Sequence, residues 1–137
     1  MVDRELMLRK LANLEEYLRQ VSEYQAVTAE EYRKDWKVQR IIERTLQMAI
    51  EVCVDIANHA IADRKLRVPQ TYAEVFEVLG DADLLPADLR DTMVRMAGFR
   101  NLIVHEYART DPALVVGILR EHLVDFARFR AAALAWI

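Results

Sequence analysis

The segment GFRNLIVHEY, residues 98–107, sets Arg100, Asn101, His105 and Tyr107 among Phe99, Leu102, Ile103 and Val104. Arginine grips a phosphate through two parallel N–H donors and stays charged at every working pH. Histidine titrates near neutrality and exchanges a proton with a hydroxyl or a leaving oxygen. Asparagine and tyrosine can orient the imidazole or the ligand. The set fits a phosphate-bearing ligand. A metal is not expected, because His59, His105 and His122 lack a helical ligand spacing and Glu51 with Asp55 is a weak set. The chain has no phosphate-cradling glycine loop and no evident Ser-His-Asp arrangement.

Residues 87–106 read as a helix begun by Pro86, and on that helix Arg100 is the anomaly. At about 100° per residue, Met93, Met96, Ala97, Ile103 and Val104 fall within about 60° of Arg100, so the guanidinium sits mid-way across the apolar face. Asn101 and His105 lie at the edge of that face, and His105 is about 140° from Arg100. Tyr107 returns close to the azimuth of Arg100. A charge so placed costs several kcal/mol, in order of magnitude, unless it is paired. Either Arg100 makes a structural ion pair with Glu51 or Asp55, or it lines a polar pocket between helices or subunits. The presence of Asn, His and Tyr in the same segment favours the pocket. Gly98, one turn ahead of Leu102, is expected to let another helix approach closely.

The remaining elements are helical too. Met7, Leu11, Leu14, Leu18 and Val21 mark one face of a helix over about 3–24. Thr28 with Glu31 forms a capping box that opens either a short turn or the next helix. A long helix follows, from about Tyr32 or Trp36 to Asp63. It is apolar on most sides, with a thin polar stripe of Arg40, Arg44, Gln47, Glu51, Asp55 and His59. Residues 64–70 form a loop. Thr71 with Glu74 is a second capping-box candidate for a short helix that Gly80 can end. Asp111-Pro112 starts a last helix to about 135, with Val115, Leu119, Leu123, Phe126 and Phe129 inward. The expected fold is all-α, an up-down bundle of four main helices plus one short helix.

Composition agrees. The 137 residues fit one domain, 53% are apolar, and three Gly with three Pro are too few turn-formers for an all-β fold. A formal net charge of -3 argues against binding duplex DNA through its phosphates, so any nucleic-acid contact must use a local basic patch. Cys53, the single cysteine, reads as a small core residue and leaves no partner for an intramolecular disulfide. The opening MVDRELMLRK has no apolar signal core and no run reaches about 18 apolar residues, so a cytoplasmic protein without membrane contact is expected. His59 is expected to be structural and His122 exposed.

RNLIVHEY matches R-x4-H, in its fuller form RN-x3-H-x-Y, and IIERTLQMAIEVCVDIANHAI, TYAEVFEVL and MVRMAGFRNLIVHEY agree with it. Together these stretches resemble the HepT-type branch of the HEPN superfamily over most of the chain, and residues 1–137 then form a single HEPN-like helical domain. The resemblance implies a two-fold homodimer with both motifs near the interface. It also implies the toxin of a type II/VII-like toxin-antitoxin system, acting as a metal-independent RNA endonuclease with no cofactor. Its antitoxin would be a minimal nucleotidyltransferase that AMPylates Tyr107.

On this resemblance Arg100 binds the scissile phosphate, and His105 serves as general base or acid on the RNA 2′-OH. Asn101 holds the imidazole or the phosphate. Glu51 and Asp55 are supporting candidates that orient Arg100 or His105, and Arg40 and Arg44 are candidates for further RNA phosphates. Homodimerisation has separate physical support, because Phe99 and Leu102 fall on the otherwise polar side of their helix and one bundle need not bury them. The alternative is a non-catalytic module that binds a nucleotide or docks the nucleotidyltransferase. A purely structural bundle built around a buried Arg–carboxylate pair is the third reading.

Overall fold

The computed structural model describes residues 3–106, 108 and 110–137. Among the described residues seven α-helices follow in order: α1 (Arg4–Ser22), α2 (Ala29–Lys34), α3 (Trp36–Asp63), α4 (Tyr72–Asp81), α5 (Ala87–His105), α6 (Pro112–Gly117) and α7 (Leu123–Leu134). A π-helical turn, Ile118–His122, joins α6 to α7. Among the described residues there is no strand, and no helix is long and apolar enough to cross a membrane.

Local chemistry starts each helix. Asp3 accepts from the Leu6 amide, and α1 then buries Met7, Leu11, Leu14 and Val21 against the core. Thr28 and Glu31 form a reciprocal capping box, which starts a separate short helix rather than the long one. Asp35 sits in extended backbone at φ −120°, breaks α2, and caps α3 by accepting from Lys37 and Val38. At about 1.5 Å per residue, the 28 residues of α3 span roughly 42 Å, so one helix touches α1, α2, α4, α5 and α7 in turn. Asp111 caps α6 with Pro112 in its first turn, as the sequence predicts.

Three expectations change. Thr71 accepts from the Glu74 amide, but the Glu74 carboxylate turns away to the Gln70 amide and to Arg67, so that cap is one-sided. Gly80 does not end α4, because the helix continues to Asp81 and the left-handed residue is Asp83 at φ 60°. Gly80 instead makes room for Arg90, since a Cβ there would lie 2.4 Å from Arg90 Cδ. The last helix is broken by the π-helical turn. Its segment ILREH contains no proline, so residue type gave no warning of the change in pitch.

The core runs the length of the bundle. Phe129 packs edge-on against Phe76 at 5.8 Å and against Trp136 at 5.7 Å, tying α7 to α4 and to the chain end. On the expected inward face of the last helix Leu123 is only half-buried, whereas Val115, Leu119, Phe126 and Phe129 are buried. Cys53 is fully buried, and burial pushes its thiol well above its ordinary range. Tyr32 is buried and donates to Glu43 Oε2 at 2.5 Å.

Candidate functional site

Helix α5 carries the site on its last two turns. Met93, Met96, Ala97 and Ile103 are buried around Arg100, which puts the guanidinium against α3 with its side chain 16% exposed. Both Nε and Nη2 lie 2.8 Å from Glu51 Oε2. Nη1 donates to Asn101 Oδ1 at 3.2 Å. The Tyr72 ring, on the first turn of α4, lies 4.7 Å from the guanidinium carbon, a cation–π contact. Gln47 donates to the same Glu51 oxygen at 3.2 Å. The guanidinium has five N–H donors, so these contacts leave donors available to an incoming oxyanion.

The α3 stripe is divided between two neighbours. Gln47 and Glu51 face α5 and Arg100, whereas Asp55 pairs with Lys10 of α1 at 2.5 Å. Asp55 therefore does not join the site. Its place is decided by α1 packing along the same flank of α3. Arg40, Glu43, Arg44 and Gln47 line a shallow basin of ≈ 350 Å³ with Ile103, and Arg40 lies 3.7 Å from Glu43. Both arginines are exposed and border the site on its α3 side.

His105, the last residue of α5, is exposed, and among the described residues it has no hydrogen-bond or ion-pair partner. With Asn101 it lines a groove of ≈ 490 Å³ between α5 and the α6–π-turn segment, floored by Met96, Phe99, Leu102, Leu114 and Ile118. Arg100 and His105 therefore open onto different sides of α5, as their azimuths require, and Asn101 joins them by accepting from Arg100 while lining the groove. Tyr107 lies outside the described residues. No group of three or more His, Cys, Asp or Glu among the described residues could hold a metal ion.

Several expectations need correction at this groove. Phe99 is only 5% exposed within one chain and belongs to its core. It thus gives no support to a dimer. Val104, placed on the apolar face by periodicity, is 37% exposed. No other part of the chain approaches Gly98 closely, since a Cβ there would meet nothing within 4 Å. His122 is half-buried rather than exposed and bonds through Nδ1 to the buried Asp125 at 2.8 Å. Tyr72 went unrecognised because the first residue of a short helix carries no sequence signal of what it will stack on. His59 is half-buried on α3.

The chain is an all-helical bundle with an arginine, an asparagine and a histidine grouped toward the end of one helix. The family described as "Ribonuclease HepT-like" matches residues 14–133, and the chain belongs to that family. It is 28% identical over 125 residues to the mRNA nuclease HepT of Shewanella oneidensis, covering 91% of this chain and 93% of that one. It is 30% identical over 96 residues to the tRNA nuclease HepT of Aphanizomenon flos-aquae, covering 70% of this chain and 65% of that one. Among solved structures, a toxin-antitoxin with AMP-PNP superimposes with a TM-score of 0.90 at 26% identity, covering 96% of this chain and 99% of that one. The tri-AMPylated Shewanella oneidensis HEPN toxin in complex with MNT antitoxin superimposes with a TM-score of 0.88 at 28% identity, covering 98% and 99%.

Proposed function

We propose that this chain is the toxin of a toxin-antitoxin pair and cleaves RNA without a metal, using Arg100, Asn101 and His105. The observation that carries the reading is Arg100. It is held at the middle of an apolar face by Glu51, Asn101 and Tyr72, with N–H donors to spare; His105, unpartnered among the described residues, opens onto the other side of α5, so the two meet on one phosphate through the second subunit of the proposed homodimer. Arg100 binds the scissile phosphate and offsets the charge that develops on it. His105 takes the proton of the RNA 2′-OH, whose oxygen attacks phosphorus and expels the 5′ oxygen. The products are a 2′,3′-cyclic phosphate and a 5′-OH. Arg40 and Arg44 extend the positive surface for flanking phosphates, which lets a protein of net charge -3 hold an anionic strand.

The test is cleavage of total RNA by the purified chain in excess EDTA. Wild type is expected to cut, and His105→Ala to cut roughly 10²- to 10⁴-fold more slowly. Cleavage abolished by EDTA, or retained at the wild-type rate in His105→Ala, would sink the mechanism. The chain is further proposed to act as a two-fold homodimer and to be silenced by a nucleotidyltransferase antitoxin through AMP on Tyr107. Sedimentation at micromolar concentration checks the dimer, and a monomer there removes it.

The Arg100–Glu51 pair favours one second reading, a non-catalytic module in which the same groove and arginine bind a nucleotide or dock the nucleotidyltransferase. Under that reading wild type cuts no RNA but retains the antitoxin.

A further inference from the structure

Helix α4 begins beside Arg100. Tyr72, its first residue, sets its ring 4.7 Å from the guanidinium carbon. Thr71 caps the helix through the Glu74 amide, and the Glu74 carboxylate accepts from the Gln70 amide and from Arg67, so the backbone on either side of Tyr72 is held. The residue is nevertheless 37% exposed. A large aromatic ring gains most when it is fully buried, yet this one stays partly open next to a charge that is short of an anion. Beyond Arg100, on the α3 side, lies the basin of Arg40, Arg44 and Gln47. Gln47 lines that basin and also donates to Glu51, the carboxylate that holds Arg100, so basin and arginine adjoin. From Arg44 to Glu51 the α3 helix rises about 10 Å. Arg44 is exposed and has no hydrogen-bond or ion-pair partner among the described residues. Cations, then Arg100, then an open aromatic ring are the parts from which single-strand sites are built: charge tracks the backbone and the ring takes a base.

We propose that Tyr72 is a stacking platform for one nucleobase of the RNA, on a nucleotide flanking the phosphate that Arg100 holds. The assignment rests on the RNA reading above, and it lies on the Arg100 side of α5. The ring is shared between the guanidinium and the base. Its contact with Arg100 restrains it before RNA arrives, so little side-chain freedom is lost when a base stacks. The contact tolerates any sequence, because every base has a π-face. It requires an unpaired base, because the bases of an A-form helix are already stacked on their neighbours. It depends on the ring and not on the hydroxyl. Were Tyr72 only a brace for Arg100, the identity of the flanking nucleotide would not matter to it.

The test crosses protein and substrate changes. Wild type, Tyr72→Phe and Tyr72→Leu are assayed on a short single-stranded RNA with one mapped cut, and on the same RNA with an abasic residue on either side of that cut. Tyr72→Phe is expected to cut like wild type. Tyr72→Leu is expected to lose roughly 5- to 150-fold in kcat/KM, the range that one base–aromatic stack gives, with the loss in KM and not in kcat. Wild type should lose a similar factor on one of the two abasic substrates, and Tyr72→Leu should lose little more on that substrate, since the same stack is already gone. Independent, multiplying losses would overturn the assignment, as would a fall in kcat alone, which marks a misplaced Arg100. Full-rate cutting of both abasic substrates by wild type would overturn it too. A second readout needs no cleavage: 2-aminopurine in a 2′-O-methylated single strand should be quenched on binding wild type and Tyr72→Phe but not Tyr72→Leu, and equal quenching by all three, or none by wild type, would discard the platform. If wild type quenches but cuts no RNA, the nuclease reading fails while the platform stands.

Discussion

Replacing Arg100 separates a site arginine from one that only holds the fold together. Its side chain is 16% exposed and that of Glu51 is 31% exposed, with two nitrogens at 2.8 Å from one carboxylate oxygen. Fully exposed pairs contribute about 0.2–1 kcal/mol, whereas breaking a buried pair by removing one partner costs about 3–5 kcal/mol. The intermediate burial places the Arg100–Glu51 coupling at about 2 kcal/mol. That corresponds to a fall of roughly 6 °C in melting temperature for a domain of this size. The assay is urea unfolding of wild type, Arg100→Ala, Glu51→Ala and the double variant. Each single change is expected to cost about 2 kcal/mol, and the double variant little more than either, because one interaction is lost three times over. Cooperative unfolding is retained throughout while RNA cleavage disappears in Arg100→Ala. Strict additivity would refute the pair as a unit. A loss above about 4 kcal/mol with cooperativity gone would make Arg100 a structural strut and remove the main support for the site.

Tyr32 gives a pH-dependent test: burial, then the hydrogen bond to Glu43, raises its phenol far above its ordinary range. Its stabilising contribution is therefore fully present below the unfolded value of about 10 and declines as pH rises beyond it. The stability difference between wild type and Tyr32→Phe, by urea unfolding at stepped pH, should shrink above about pH 10 and stay flat below it; a flat difference throughout would contradict the buried phenol. Intact mass after co-expression with the cognate nucleotidyltransferase should rise by whole AMP units in wild type and not in Tyr107→Phe; no rise, or an equal rise in the variant, would discard Tyr107 as the modified residue.

Helix faces and starts were legible in the sequence because they are local. Met7, Leu11, Leu14 and Val21 share a face through helical geometry alone, and Thr28 and Asp111 cap through bonds to amides two or three residues away; Asp3 and Asp35 cap in the same local way, although only the structure assigned them that role. The anomaly of Arg100 was legible for the same reason, since its misfit is defined by neighbours on its own helix. Thr71 shows the limit of such reading. Its own bond is local, but Glu74 was claimed by Arg67, which also reaches Asp81 across the helix.

The sequence by itself determined an all-helical chain, the placing of Arg100 within an apolar face, and the likeness to the HepT-like family that matches residues 14–133. Tertiary structure decided which groups meet. Glu51 takes Arg100 and Asp55 takes Lys10 because α5 and α1 lie along different parts of α3, and that relation is set by packing of side chains far apart in the chain. Tyr72 reaches Arg100 through the packing of α4 on α5, and Phe99 is buried in the core of the single chain. His122 turns into the groove through a change of helical pitch, which rotates every later residue and is invisible to a reading that assumes 3.6 residues per turn.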